Sequence, residues 1–354
     1  MGDSLVESKG IIVAREDAER VKEKLISLNL LDGSRKAART GEKVIFPLSP
    51  GAEKDLKLHS IPGTEMVTHE FEARPTRPRS IEDLLEAVLT PEELELMGSS
   101  YDLVGRIAII DLPPELAGKR KEIGNALLSW LPAETVAIKI SETSGSSRVR
   151  GLEVIAGERT LRTTHRENGL RFSVDLSRVF FNPRLGTERL RVARAHRRSE
   201  LVIDMFAGVG PFSITISSFS GVEDHSIFAI DSNMYAIEHL IRNIDLNSAP
   251  NVKAIRGDAK RETARIAGEH GLADGIIMNL PKSSNTYLGS AVGALRKGGV
   301  LHYYRLLSKA DPLGEIKREL QPWGQFEVRD WRQVESYSPS RSIFVADAVL
   351  SDPA

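Results

Sequence analysis

From residue 201 to the C-terminus, short apolar runs alternate with helix-length amphipathic stretches. Residues 201–205, 226–230, 252–255, 275–278 and 300–304 read as strands, and stretches between them, such as 233–247, carry apolar residues at helical spacing. Alternation of this kind predicts a parallel sheet with helices on both faces. Two further strands, 326–334 and 342–350, are separated by only a short turn, which adds an antiparallel hairpin and brings the sheet to seven strands.

Upstream the pattern differs. Residues 10–14 read as a strand, 16–28 as a helix with Ala18, Val21, Leu25 and Leu28 on one face, and 43–48 as a second strand. Two prolines and three arginines interrupt the apolar pattern at 73–80, which predicts a linker. Beyond it, Ser80 followed by Asp83 predicts a capped helix start, while 101–111 holds a strand at 106–110, 119–128 a helix and 135–140 another strand. Short strands follow at 153–156, 160–165 and 170–174. The expected class is α/β: a small α/β domain over 1–72, a linker over 73–80, an α+β middle domain over 81–195, and a seven-stranded Rossmann-like domain over 196–354.

Composition narrows the chemistry. The 354 residues, 41 % hydrophobic and 27 % charged, suit a folded chain with substantial cores. The absence of cysteine excludes disulfides, thiolate metal sites and cysteine nucleophiles, and fits a reducing compartment. No basic leader precedes an apolar run, and no stretch approaches the ~18 apolar residues of a membrane span, so a cytoplasmic protein without membrane association is expected. The eight histidines show no metal-ligand spacing, and no protein-bound metal is expected. The net charge of −1 hides an asymmetry: residues 141–200 carry 13 Arg, no Lys and 7 acidic residues. Arginine forks suit bidentate contact with phosphate and stacking on bases; a solvated, ion-paired face has the same composition.

Ligands of open α/β sheets bind beyond the carboxyl ends of the strands. The first strand runs through Asp204 into Phe206, Gly208 and Gly210, where glycines let the backbone pass beneath a ligand and start a helix whose amides face it. Ser213 stands where a dinucleotide fingerprint has its third glycine. The second strand ends in Asp231 and Ser232, an acidic position suited to accept both hydroxyls of a ribose. The third ends in Asp258 and Ala259, the fourth in Asn279, Leu280 and Pro281. Singly, a glycine turn reads as packing and an Asp as a helix N-cap. Four such ends in succession point to a nucleoside ligand.

With these ends and the C-terminal hairpin, the region resembles the seven-stranded S-adenosylmethionine-dependent methyltransferases. The resemblance implies S-adenosylmethionine as cofactor, with Asp231 at its ribose and Ser232 beside it, Asp258 and Ala259 at adenine, and the turn of Phe206, Gly208 and Gly210 beside the methionine moiety. Asn279, Leu280 and Pro281 are assigned to the cofactor or the base, with a capped turn as the alternative for Asn279. The chain continues Lys282-Ser283-Ser284 without an aromatic, which points away from methylation of an exocyclic amine.

A more specific resemblance rests on the stretch from Phe180 through Asn182, Pro183, Arg184, Gly186, Thr187, Glu188 and Arg189, together with Tyr101-Asp102-Leu103-Val104-Gly105-Arg106, Ile123-Gly124-Asn125-Ala126 and Thr164-His165-Arg166-Glu167-Asn168-Gly169. These motifs resemble the archaeal and eukaryotic tRNA guanine-37 N1-methyltransferases. The first 70 residues resemble that family's tRNA-binding N-terminal domain more weakly. By this resemblance Glu188 is the general base, Arg148 steadies the guanine O6, Arg189 contacts the cofactor, and Phe180, Pro183 and Arg184 lie at the substrate. The chemistry is coherent on its own terms: N1 of guanine becomes a methyl acceptor only when its proton leaves and charge spreads onto O6, which a carboxylate and a guanidinium serve. The plainer alternative makes Glu188 an ion-pair partner of Arg184 or Arg191.

Phe180 stands where relatives have Tyr, keeping a stacking face without the hydroxyl. Ser283-Ser284 resembles a sister family that transfers the aminocarboxypropyl group to a wyosine precursor, whereas Asn182-Pro183-Arg184-Leu185 favours methyl transfer. The rivals are therefore that transferase, a methyltransferase acting on a wyosine precursor, and a tRNA-binding protein without turnover. The implied partner is tRNA, met at the anticodon loop and elbow, by a monomer with no obligate protein partner.

Overall fold

The computed structural model describes residues 5–55, 57–58, 61–74, 78, 80–98, 100–140, 151–196, 201–220 and 226–353. The chain forms two compact units, Met1–Arg79 and Ser80–Ala354. In the first, strands β1 (Leu5–Ala14), β2 (Ala38–Thr40), β3 (Lys43–Pro47) and β4 (Thr64–Glu72) form an antiparallel sheet in the order β2-β3-β1-β4. Helix α1 (Ala18–Ser27) buries Val21 and Leu25, one turn apart, in a core with Ile11, Val13 and Phe46. Strands β2 and β4 were not anticipated. Phe71 is the single fully buried residue of β4, so the alternation that marks a strand is missing there.

The second unit opens with α2 (Ile81–Leu85) and α3 (Pro91–Leu96). Ser80 caps α2 by accepting from the Asp83 amide at 3.1 Å; the reciprocal capping box lies at Thr90 and Glu93, at the start of α3. Strands β5 (Tyr101–Val104), β6 (Ile107–Ile110), β7 (Thr135–Lys139) and β8 (Leu152–Gly157) form a sheet in that order, backed by α4 (Arg120–Trp130). The strand expected at 106–110 is β6, and β5, which was not expected, pairs with it as a hairpin. A second hairpin, β9 (Arg162–Glu167) and β10 (Leu170–Asp175), turns at Asn168 and Gly169, both with positive φ, the tight-turn chemistry of Asn-Gly. Helix α5 (Gly186–Ala195) follows.

Seven strands complete the chain: β11 (Leu201–Asp204), β12 (Ser226–Asp231), β13 (Val252–Arg256), β14 (Ala273–Met278), β15 (Leu295–Ser308), β16 (Gly324–Ser336) and β17 (Arg341–Pro353). Their order is β13-β12-β11-β14-β15-β17-β16, parallel from β13 to β15, with β17 antiparallel to both its neighbours. This is the doubly wound sheet with a terminal hairpin that the alternation predicts. Helices α6 (Pro211–Phe219), α7 (Met234–Leu246), α8 (Ala259–His270), α9 (Leu288–Ala294) and α10 (Pro312–Leu320) connect the strands. No helix among the described residues is long and apolar enough to cross a membrane.

Residues 81–195 and 196–354, expected as separate domains, lie within this one unit. A single buried cluster joins Ile107, Phe172, Val174 and Val192 to Val202, Phe212, Leu240 and Tyr304. Polar contacts reinforce it. The Asn243 side chain of α7 accepts from the Ser173 amide at 2.7 Å and donates to the carbonyls of Ser173 and Val209 at 3.2 and 3.0 Å. One turn later, Asn247 exchanges the same pair of bonds with Arg171, at 2.8 and 2.7 Å. Two side-chain amides thus stand in for a neighbouring strand along the open edge of β10.

Asp204, which ends β11 beside Ala229 and Ile277, is 1 % exposed. Ser213 Oγ donates to its Oδ2 at 2.9 Å, while Oδ1 has no hydrogen-bond partner. Burial pushes this carboxyl up to about 7, a shift to which the charge of Asp231 adds and which Ser213 and Arg189 oppose.

Two stability predictions arise. Asn243→Ala leaves an amide and two carbonyls buried without partners, and is expected to lower the unfolding free energy in urea by about 2–4 kcal/mol; a loss below about 0.5 kcal/mol, the scale of a neutral surface change, would refute the strand-substitute role. For Asp204, the folded state keeps a proton that the unfolded chain releases near 3.8, so stability is full below that value and is lost as pH rises toward about 7. Asp204→Asn removes the effect, so stability relative to wild type should improve from about pH 4 to about pH 8. An unchanged difference across that range would contradict it.

Candidate functional site

The glycine turn after β11 is shaped by two left-handed residues, Gly208 (φ 55°) and Gly210 (φ 88°). At Gly210 a Cβ would lie 2.2 Å from Leu240 Cδ1; at Gly208 it would meet nothing nearer than the Phe180 carbonyl at 3.9 Å. Glycine at 210 therefore permits close packing, and glycine at 208 leaves space open above the turn. Asp231 draws the turn toward β12, its Oδ2 accepting from the Gly208 amide and its Oδ1 from the Asn233 amide, both at 2.8 Å. An acidic side chain held at this strand end beside the glycine turn is placed to accept from a pair of ribose hydroxyls. Ser232 is exposed beside it.

At the next strand ends, Asp258 caps α8 by accepting from the Arg261 amide at 3.1 Å, and Ala259 is buried in the first turn. Phe206 meets Tyr287 edge-to-face with centroids 4.9 Å apart, and Lys260 Nζ lies 5.1 Å from the Tyr287 ring centre. The glycine turn, the start of α8 and the segment after Pro281 thus converge, with the Phe206 and Tyr287 rings in contact where they meet. Tyr287 escaped the sequence reading because it lies too far beyond Pro281 to belong to that motif.

The turn of Asn279, Leu280 and Pro281 is tied to β15. Pro281 O accepts from the Leu306 amide at 2.8 Å and from Arg305 Nη1 at 2.9 Å. Ser284 is fully buried, its Oγ within 2.8–3.2 Å of the carbonyls of Met278, Leu280 and Tyr304. Backbone satisfaction therefore explains a serine that resembled the sister family's signature. Asn279 stays half-buried at the end of β14.

On the segment leading into α5, Asn182 Oδ1 accepts from the Arg184 amide at 2.9 Å, and its Nδ2 donates to Glu335 Oε2 at 2.7 Å. Pro183 opens the short turn Pro183–Leu185, and Phe180 is partly buried with its carbonyl over Gly208. Arg184 pairs with Asp102 at 2.6 Å. Glu188 is 8 % exposed. Its Oε1 accepts from Arg191 Nη2 at 2.8 Å and from the Tyr304 hydroxyl at 2.7 Å; its Oε2 accepts from Arg191 Nε at 2.9 Å. Of the two ion-pair partners that sequence allowed, Arg191 is the one found. The pairing is internal, and it aligns the carboxylate beside Tyr304, whose ring packs edge-to-face on Phe212 at 5.7 Å, directly after the glycine turn.

Arg189 is 2 % exposed, bound to Glu167 at 2.5 Å and to the Asn182 carbonyl at 2.7 Å, with its Nε unpartnered. These contacts fasten α5 to β9, a structural duty beside the cofactor contact expected of it. His165 is a packed strand histidine, accepting from the Gly105 amide at 3.1 Å, and burial with the nearby Arg189 charge holds it at about 4. Arg148 lies outside the described residues. Among the described residues, no group of three or more His, Asp or Glu could hold a metal ion. The fold therefore brings together Glu188, the glycine turn and the ends of β12 to β14, and adds Tyr304, Arg191 and Tyr287.

Three family models match: a TRM5/TYW2 methyltransferase domain over residues 163–323, a TYW2 N-terminal domain over 81–160, and a tRNA methyltransferase 5 N-terminal domain over 10–57. The chain is 38 % identical to tRNA (guanine(37)-N(1))-methyltransferase Trm5b of Pyrococcus abyssi, over 96 % of this chain and 98 % of that one. It is 34 % identical to the Trm5b of Methanocaldococcus jannaschii, over 95 % and 96 % of the two chains. Among solved structures it is similar to a complex of aTrm5 with tRNALeu, with TM-score 0.81 and 32 % identity over 96 % of this chain and 99 % of that one. Likeness that runs the length of both chains, and holds in sequence and fold alike, makes this chain a member of the tRNA (guanine(37)-N(1))-methyltransferase family.

Proposed function

We propose that the protein transfers the methyl group of S-adenosylmethionine to N1 of guanine 37 in tRNA. The observation that carries this reading is Glu188, a carboxylate withdrawn from water and oriented by Arg191 and Tyr304, with a single hydrogen bond on Oε2. Bound S-adenosylmethionine supplies a methyl carbon on a positively charged sulfur, which keeps the bonding pair and leaves as a neutral thioether.

The chain's own residues do the rest. Glu188 Oε2 takes the N1 proton, and the pair left on N1 becomes the nucleophile. Arg191 and Tyr304 hold the carboxylate in one orientation, so little reorganisation is needed when the base arrives. Asp231 accepts the ribose hydroxyls, Asp258 and Ala259 lie at the adenine, and the turn of Phe206, Gly208 and Gly210 lies beside the methionine moiety. Arg148 is assigned to the developing charge on O6, and Phe180, Pro183 and Arg184 to the flipped nucleotide. Residues 1–72 serve as the tRNA-docking domain. A tRNA partner is supported by the aTrm5–tRNALeu complex to which this chain is similar. A chain without cysteine suits the cytoplasm, where we place the reaction.

The test is incubation with unmodified tRNA transcript and S-adenosylmethionine, followed by nucleoside mass spectrometry. One methyl on the guanosine of position 37 is expected; an aminocarboxypropyl adduct, or no product, would reject the assignment. In single turnover, Glu188→Gln should slow transfer by roughly 10²–10⁴, the contribution of a positioned general base, with cofactor affinity by calorimetry near wild type. A variant that transfers at the wild-type rate would remove Glu188 from the role of base.

A further inference from the structure

Behind Arg191, which orients Glu188, lies a chain of buried polar groups, Asp347, His302 and His196, that the reaction as described leaves unused. Arg191 is shared between two carboxylates: besides Glu188 it binds Asp347 on β17, Nη1 to Oδ2 at 2.5 Å and Nη2 to Oδ1 at 3.1 Å. Asp347 Oδ1 lies 2.7 Å from His302 Nδ1 on β15, and His302 Nε2 lies 3.0 Å from His196 Nε2 at the end of α5. His196 in turn packs against Gly275, where a Cβ would lie 2.2 Å from its ring.

The proton positions can be reasoned out. Burial holds His302 below its usual value, against the pull of Asp347, so the ring is neutral. Asp347 ionises despite its burial, because His302 and Arg191 hold its carboxyl well below the usual range, and a carboxylate only accepts. His302 Nδ1 therefore carries the proton, its Nε2 accepts, and His196 Nε2 donates. Tyr304 stays protonated, raised by burial and by Glu188, and so donates to Oε1. Every donor in the chain points toward the two carboxylates.

Counting lone pairs separates the oxygens of Glu188. Oε1 has both filled, by Arg191 and Tyr304, whereas Oε2 has one filled, by Arg191 Nε, with Arg332 Nη1 on β16 at 3.6 Å, outside hydrogen-bond range. Arg332 is anchored by Asp330 at 2.6 Å and lies 3.7 Å from Asp347 Oδ2. The charged and titratable groups facing Glu188 are thus Arg191 on its own helix, Tyr304 on β15, Arg332 on β16 and, through Arg191, Asp347 on β17.

We propose that Tyr304 and Asp347 are positioning residues for methyl transfer that act through Glu188: Tyr304 occupies Oε1 so that Oε2 receives the N1 proton, and Asp347, oriented by His302, takes a share of Arg191 so that the guanidinium does not hold the base too tightly. This rests on Glu188 being the base. As the proton passes from N1 to Oε2, Glu188 becomes neutral, and Asp347 remains to balance Arg191 within the low-dielectric interior.

The two contacts act on the base in opposite senses, and that supplies the test. Single-turnover methyl transfer is measured against pH with Asp347→Asn and Tyr304→Phe, alongside Glu188→Gln. Asp347→Asn leaves Arg191 wholly to Glu188, weakening the base; the neutral-pH rate should fall about tenfold, as proton-transfer efficiency follows base strength, and the acid side of the profile should move to lower pH. Tyr304→Phe removes a donor from the carboxylate, and the acid side should move to higher pH. Shifts of opposite sign support the proposal, whereas a purely structural role would change rates and leave the acid side in place, overturning it. Should Asp347→Asn fail to fold by thermal denaturation, Tyr304→Phe, which loses one hydroxyl, decides alone: no upward shift rejects the proposal. A Glu188→Gln variant active at the wild-type rate would mean that the base itself is misassigned; a slow Glu188→Gln with unshifted partners would mean that only the positioning is.

Discussion

A charge withdrawn from water must be paired, and α5 withdraws two neighbours of opposite sign. Glu188 and Arg189 are consecutive, so they leave the helix about 100° apart and neither neutralises the other. Each is met by a different part of the fold: Arg189 by Glu167 on β9, Glu188 by Arg191 on its own helix and Tyr304 on β15. Arg191 extends the connection to Asp347 on β17. Removing one partner of a buried pair typically costs about 3–5 kcal/mol, because the other charge is left uncompensated. The helix is therefore held between hairpin and sheet by terms that tolerate little displacement, and a carboxylate so held offers its remaining lone pair in a fixed direction.

The same requirement gives the middle region its purpose. The β9–β10 hairpin carries Glu167 and is itself fastened to α7 by Asn243 and Asn247. Helix α7 begins at the end of β12, where Asp231 grips the glycine turn. The proposed nucleoside contacts and the proposed base are thus two ends of one polar framework. This is why residues on either side of position 195 share a core rather than meeting as separate bodies.

What was legible in the sequence follows from the range of the forces involved. The parallel strands were readable because their buried residues are contiguous and apolar, and the strand-end motifs because each combines a turn, a cap and a helix start within a few residues. Strand β4 was not, since its cross-strand hydrogen bonds carry no signature when one buried Phe71 stands among polar neighbours. Tyr304 and Asp347 were silent for another reason: they reach Glu188 through sheet register, 116 residues away for Tyr304, and nothing local distinguishes a tyrosine that will donate to a carboxylate from one that packs. Ser284 misled in the opposite direction, a local likeness whose cause is the need of buried carbonyls for a donor.

The arginine-rich segment divides along the same line. Arg162 and Arg178 meet Asp175, and Arg184 meets Asp102; the arginine side chains are 45–70 % exposed, whereas the two carboxylates are withdrawn from water. These guanidiniums reach water, so a phosphate can join the carboxylate on the exposed side of a fork that has five donors. Arg189 and Arg191, 2 % and 27 % exposed, turn their forks inward to Glu167, Glu188 and Asp347 and leave little of them for a phosphate. Among the described residues, the arginines of this segment therefore do two jobs, and the sequence count of 13 overstates how many are placed to meet phosphates. Each phosphate contact contributes about 0.7–0.9 to the slope of log affinity against log salt, so within this segment it is the outward-facing arginines that would add to the salt dependence of tRNA binding, while the inward-facing ones hold α5 in place.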